Sequence, residues 1–232
     1  MIVIEGVDMT VATPLPRTQA QRSAETRALL LEATIDTLIE VGYADASSAA
    51  IVMRAGVTRG AQVHHFHSKV GLITAAAQYL FSGFIDEVQE LATEVHSSGG
   101  DLESFLHGSL EKFFHGRFFF ASLELITAAR TDPNLKERLM PLIKELHDQL
   151  DALWLRFFQT TEASPARVET LLNMTLCLLR GMAVQTVLRD DPDYYVEILE
   201  AWKTILSSFL IKREEVIETD GQQPRQSSGE EG

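Results

Sequence analysis

Residues 55–69 read AGVTRGAQVHHFHSK. The stretch sets a small residue, a glycine, a valine, a capping threonine and an arginine before three histidines within four positions. Two readings compete. One is a metal or catalytic site built on histidine. The other is a short helix built to lie on a nucleic acid.

The first half of the stretch has a specific local physics. Ala55 is small enough for two helices to cross closely. Gly56 can take the positive φ that ends a helix. Val57 fills the angle between the two helices, and Thr58 caps the second with its hydroxyl. Two short helices joined in this way form a helix-turn-helix. The free N–H groups of the second helix point outward, where phosphate oxygens bind. Arg59 supplies a long donor and Gly60 permits close approach. The histidines fit a metal poorly. Metal sites want histidines at i, i+3 or i+4 with a further ligand. His64 and His67 have the spacing, but the helix ends between them and no nearby Cys, Asp or Glu completes a set.

Working outward, the same cap chemistry divides the chain. Asp132-Pro133, Ser164-Pro165 and Asp191-Pro192 each set a capping side chain before a proline suited to the first helical position. Ser47, Ser68 and Gly99-Gly100-Asp101 mark further starts, and Gly42 a further end. The marks predict about nine helices, near 22–41, 47–55, 58–65, 69–96, 101–115, 117–130, 133–160, 165–189 and 192–212. No run alternates with period 2, so the fold class is all-α. The first helix places Arg27, Leu30, Leu31, Thr34, Ile35 and Leu38 on one face, with Glu32, Asp36 and Glu40 opposite. That face is expected to pack on the two short helices that follow, and Phe66 to tie the second of them to it. The organisation reads as a flexible arm over 1–21, a helix-turn-helix domain over 22–68, a helical bundle over 69–212 and a disordered polar tail over 213–232. Met9 is an alternative start to Met1.

Composition supports a folded, non-membrane chain. Hydrophobic residues make up 45% of the 232, enough for a substantial core. No apolar run reaches membrane-spanning length, and the N-terminus lacks a signal-peptide pattern. The one cysteine, Cys177, is expected as a small core residue and fits a cytoplasmic location. The net charge of −13 is unevenly spread. Residues 1–70 carry six Lys/Arg against seven Asp/Glu, and residues 71–232 fourteen against twenty-six. A near-neutral front and an acidic back orient a molecule in the field of a polyanion.

Residues 22–70 resemble the DNA-binding domain of the TetR (tetracycline-repressor) family of bacterial transcription regulators. The resemblance rests on Arg27 with the Leu30–Leu38 face, Gly42-Tyr43, Ile51, Ala55-Gly56-Val57-Thr58-Arg59-Gly60, His65-Phe66 and Ser68-Lys69. It implies that Ser47 and Ser48 cap the second helix and touch phosphate. It implies that Thr58, Arg59, Gly60 and Ala61 face the major groove, and that His65 and Lys69 grip the DNA backbone. Gln62 and His64 complete the expected contact set. Lys69 opens the long fourth helix that links the DNA end to the ligand end. Three departures stand out. Gln62-Val63 replaces the usual Leu-Tyr, so a tyrosine contact to phosphate is lost. Ala49-Ala50 replaces a charged pair, and His67 stands where proline is usual.

The long second part is expected to hold a mostly apolar pocket with a few polar anchors. By resemblance that pocket binds a small effector. The lining residues expected are Phe119, Leu123, Ile126, Met140, Trp154, Met174 and Gln185, with His115, Arg117 and Arg130 as anchors. The last two helices carry long apolar faces, and both together resemble a four-helix dimer interface built on Leu171, Leu178, Met182, Leu199, Trp202, Ile205 and Phe209. A homodimer reads two half-sites of double-stranded DNA, which one short helix cannot do alone. The expected function is thus a DNA-binding repressor released from a palindromic operator by a small, largely apolar effector. The alternative is a DNA-binding regulator without an effector, controlled by a protein partner or acting as an activator. No cofactor is expected. An enzyme is disfavoured because no GxSxG, P-loop, GxGxxG or HExxH pattern occurs.

Overall fold

The computed structural model describes residues 18–100, 102–113 and 116–214. The expected arm up to residue 17, the expected tail from 215, and the anchor His115 lie outside the described residues. Those described form nine α-helices and two short strands. In order they are α1 Gln19–Asp45, α2 Ser48–Ala55, α3 Arg59–His65, α4 Lys69–Ser97, α5 Leu102–Phe113, α6 Arg117–Ala129, α7 Pro133–Phe157, β1 Phe158–Thr160, α8 Val168–Thr186, α9 Pro192–Ser207 and β2 Leu210–Lys212.

The caps explain most boundaries. Ser47, Thr58 and Ser68 accept from the backbone N–H groups of Ala50, Ala61 and Gly71, and Asp132 and Asp191 accept from Leu135 and Tyr194. Each satisfies an N–H that the helix itself leaves unpaired. Gly56 ends α2 in the left-handed region at φ 64°.

Several boundaries differ from the sequence expectation. The first helix starts three residues early, inside the expected arm, because Thr18 and Gln21 form a reciprocal capping box. Its C-terminal end kinks at Gly42, where φ is 75°. The Ser164-Pro165 signal starts no helix. Ser164 Oγ instead bonds within its own turn to Ala166, and α8 begins at Val168. The expected ends of the seventh and ninth helices are strands, paired antiparallel with Phe158 opposite Lys212. Arg213 secures that pairing, its Nε donating to the carbonyls of Leu155 and Phe158.

Burial falls into two cores. The smaller gathers Leu30, Leu31, Ile35, Ile51, Phe66 and Leu72 with Ala121 of α6. The larger runs through α4 to α9 and also takes in Leu38 of α1. The α1 face therefore packs on α4 and α6 as well as on α2 and α3. Phe66 stands in the core that joins α3 to α1. Most of the bundle aromatics are core: Phe105, Phe119, Trp154, Phe157 and Phe158 are all buried. Cys177 is not; it is exposed on α8, because its side chain falls on the α8 face away from the core.

The acidic side of α1 is also occupied. Glu32 and Asp36 both accept from Arg117 at 2.8 Å, Glu32 accepts from the Tyr79 hydroxyl at 2.6 Å, and Glu40 pairs with Arg54. Partial burial pushes the Glu32 carboxyl up, but the Tyr79 and Arg117 donors outweigh it and hold the group below its usual value. A second joint centres on Tyr43. Its hydroxyl donates to Asp132 at 2.6 Å, its N–H to Glu124, and its carbonyl accepts from Lys69 Nζ at 2.9 Å. Burial, and then the Asp132 carboxylate, push the Tyr43 phenol up to about 12.

The Tyr43 joint has a consequence for stability against pH. A group whose folded pKa is raised stabilises fully below its unfolded value and loses that contribution as pH rises through the folded one. Stability should therefore fall between pH 10 and about 12, and Tyr43→Phe should flatten that limb while lowering the urea midpoint at neutral pH. Urea unfolding of both proteins across that pH range measures it. Separately, Gly56→Ala should cost about 1 kcal/mol through left-handed strain alone, since nothing lies within 4 Å of an added Cβ. Denaturant unfolding reads that loss.

Candidate nucleic-acid interface and cavity

The turn between α2 and α3 presents the residues expected at the major groove. Ser47, Thr58, Arg59 and Gly60 are exposed, and Ser48 and Ala61 are half-buried. Arg59 makes no hydrogen bond or ion pair among the described residues, so its guanidinium is free. His64 is exposed and His65 half-buried, their rings edge to face with centroids 5.3 Å apart. A shallow concavity runs from these histidines and Ala61 to Gln19, Arg22, Ser23 and Thr26 of α1. The sequence reading missed that α1 contribution. Arg22, Ser23 and Thr26 already lay inside the expected helix; the Thr18-x-x-Gln21 capping box would have added Gln19.

Two expected contacts are placed otherwise. Gln62 is 4% exposed, and its Nε2 donates to the Phe66 carbonyl at 2.9 Å. The Phe66 N–H returns a bond to the Gln62 carbonyl at 2.7 Å. Gln62 is therefore an internal clasp closing α3 and is not free to reach DNA. Lys69 is committed as well. Its ammonium bonds the Tyr43 carbonyl and sits over the Tyr43 ring, 4.8 Å from the centroid. Val63 and His67 are exposed.

A cavity of about 730 Å³ opens in the bundle. Its wall is built from α6 and α7, with Phe81 of α4 and Arg180 of α8. Of the expected lining residues, Ile126, Met140 and Arg130 stand in it. Phe119 and Trp154 are core instead, at 2% and 1% exposure, and Leu123 packs against the same core. Met174 and Gln185 are exposed on α8, and Arg117 reaches α1 instead of the cavity. The cavity residues that the sequence did not reveal, such as Leu139, Ile143 and Arg180, read as ordinary helix faces until the helices are set together.

The expected dimer residues divide in the same way. Leu171, Met182 and Leu199 are buried within the chain itself. Leu178, Trp202 and Phe209 pack against its core, and Trp202 Nε1 donates to Thr175 at 3.0 Å. Only Ile205 of that set is exposed. The free stripe on α8 is a different one: Met174, Cys177, Gly181 and Val184 are all exposed, as is Leu188 in the turn that follows. Their spacing alternates three and four, the pattern of a helix seam. Elsewhere, Glu103, His107 and Glu200 bring ligand-type atoms within 4.8 Å of one another. The Lys203 ammonium already bridges the two carboxylates at 2.7 and 2.9 Å, so the cluster is an ion-pair network tying α5 to α9.

This geometry has known counterparts. Residues 30–76 match the family model described as bacterial regulatory proteins, tetR family. The chain is 30% identical to the HTH-type transcriptional regulator CymR of Pseudomonas putida over 186 residues, covering 80% of this chain and 91% of that one. It is 34% identical over 183 residues to an uncharacterized HTH-type transcriptional regulator of Mycobacterium tuberculosis, covering 76% and 93%. Among solved structures, a TetR family member from Streptomyces coelicolor aligns with a TM-score of 0.57 at 23% identity, over 77% of this chain and 98% of that one. The multidrug binding protein EbrR, complexed with imidazole, aligns at 0.53 and 22% identity, over 76% and 93%. At such identities these two show the fold alone. No helix among the described residues is long and apolar enough to cross a membrane. With the helix-turn-helix, its family match and full-length relatives in agreement, the chain belongs to the TetR family and is a DNA-binding transcriptional regulator, not an enzyme.

Proposed function

We propose that this regulator binds a palindromic operator as a homodimer and is released from it by a small, largely apolar effector held in the α6–α7 cavity. The observation that carries the reading is that one helix serves both ends. α6 walls the cavity with Ser122, Leu125, Ile126 and Ala129. The same helix buries Ala121 in the DNA-domain core and grips α1 through Arg117.

In this reading Arg59 contacts DNA, Thr58, Gly60 and Ala61 allow close approach, and Ser47, Ser48 and His65 hold the backbone. His64 and Arg22 extend the contact along the α1 side. Lys69 acts differently from the expectation. It fixes the α1–α4 joint through Tyr43 and does not hold phosphate. The α8 stripe from Met174 to Val184 faces its copy across a twofold axis, with Leu188 of the following turn and Ile205 of α9 beside it. Two recognition helices about 34–36 Å apart then meet successive major grooves. An effector that binds a shifted α6 more tightly moves α1 and breaks that spacing; with no preference between the two states it would shift nothing.

Selection from random duplex DNA by the purified protein tests the core of the reading. The expected product is a sequence with two inverted half-sites; failure to recover one defeats it. Arg59→Ala should lower operator affinity by about 1–3 kcal/mol if it reads a base, and relax the preference at that position. Binding isotherms at several salt concentrations separate this from a phosphate contact, whose loss flattens the salt slope without changing preference. Val184→Glu should place like charges across the twofold and give a monomer in sedimentation, with operator binding lost. A dimer that survives this change would move the interface elsewhere.

A further inference from the structure

The cavity wall carries a charge pattern opposite to that of the protein around it. The chain as a whole is at −13, and over residues 71–232 acids outnumber bases twenty-six to fourteen. The wall reverses that ratio: Arg130, Lys136, Lys144 and Arg180 stand against the single carboxylate of Asp148. Lys144 and Asp148 pair with each other one helical turn apart, so they cancel locally. That leaves Arg130, Lys136 and Arg180, none of which makes a side-chain hydrogen bond or ion pair among the described residues.

An ordinary surface role accounts for only one of these three. Arg130 caps the C-terminal end of α6, where a cation suits the helix dipole. Lys136 does the reverse. It sits in the first turn of α7, at the positive end of that dipole, where a cation is disfavoured. Arg180 is half-buried on α8, with no acidic side chain paired to it. Apart from Ser122 and His147 the rest of the wall is apolar, with Phe81, Phe118, Ile126, Met140 and Ile143 prominent. Arg130 and Lys136 are exposed, so an apolar body that fills the wall would displace water near them and strengthen their pull on its charge.

We propose that the cavity selects an amphipathic organic anion: an apolar body against α6 and α7, bearing one carboxylate met by Arg130, Lys136 and Arg180. This rests on the effector reading above and names the chemistry of its ligand. Cations are excluded by like-charge repulsion, and neutral compounds of the same shape leave the three cations unpaired.

Calorimetry on the full chain, without DNA, tests the charge preference with two matched series. One is octanoate, 1-octanol and octylammonium; the other is 2-naphthylacetate, 2-naphthaleneethanol and 2-(2-naphthyl)ethylammonium. In whichever series binds, the acid should bind about tenfold or more tighter than the alcohol, the scale of one charge-assisted contact. The ammonium should give no heat. Arg180→Gln and Lys136→Gln should each weaken the acid several-fold and leave the alcohol unchanged. A thermal unfolding midpoint near that of the parent confirms that each variant is folded, and Lys136→Gln carries the test should Arg180→Gln fail to fold. The proposal is overturned if the alcohol or the ammonium binds as well as the acid. It is also overturned if the variants weaken acid and alcohol alike, or if neither series binds. Recovery of an operator alongside such a result would sink only the anion preference. Loss of the operator with the preference intact would sink only the palindromic-operator reading.

Discussion

The structure depends on α1 being buried from more than one side. Leu30, Leu31 and Ile35 fill the small core with Ile51 and Phe66, while Leu38, one turn on, enters the large one. A helix held in two cores cannot tilt for one without disturbing the other. Interiors are packed too densely to absorb such a tilt in between. The DNA-facing elements are small and have little core of their own, and α3 is only seven residues long. Their orientation is therefore set by α1, and α1 is set by the bundle through α4 and α6.

The polar joints make this dependence specific. Arg117 reaches two carboxylates one turn apart on α1, which fixes α6 along the α1 axis. Tyr43, just after the Gly42 kink, gathers partners from three elements: Lys69 at the start of α4, Glu124 of α6 and Asp132 at the cap of α7. The kink is what lets one residue meet all three. An added Cβ at Gly42 would come within 3.2 Å of Glu124 Oε2, on top of the strain of its positive φ.

The helix-turn-helix was legible because its signals are local. Ser47, Gly56, Thr58 and Ser68 each act on backbone groups within three residues, so their meaning survives without any tertiary knowledge. Gln62 shows where local reading ends. As a polar residue on a DNA-facing helix it reads as a contact, yet its bond to the Phe66 carbonyl depends on how α3 closes. The expected dimer residues divide for a related reason. Two apolar stripes coexist on α8, and only packing against the bundle decides which is spent internally. Leu171 and Met182 went to the core, leaving Met174 and Val184 outside. Strands β1 and β2 are three residues each and exist only by pairing across about fifty residues of intervening chain, a contact no helical pattern announces.

The magnitudes decide which of these features carries the proposed switch. Arg117, Glu32 and Asp36 have side chains roughly 40–50% exposed, and exposed ion pairs contribute about 0–1 kcal/mol each. Moving a two-state equilibrium from mostly one form to mostly the other takes about 5.5 kcal/mol of differential affinity. The Arg117 bridges alone fall well short of that. What remains is the apolar packing of α6, which places Leu125 in the large core and Ala121 in the small one. Burying a few tens of Å² more or less apolar surface along that helix shifts the balance by about 1 kcal/mol at 25 cal/mol per Å². Several such contacts acting together reach the required range. In the proposed release, ligand would therefore act by repacking α6, and the polar joints at Arg117 and Tyr43 would set the direction in which α1 follows.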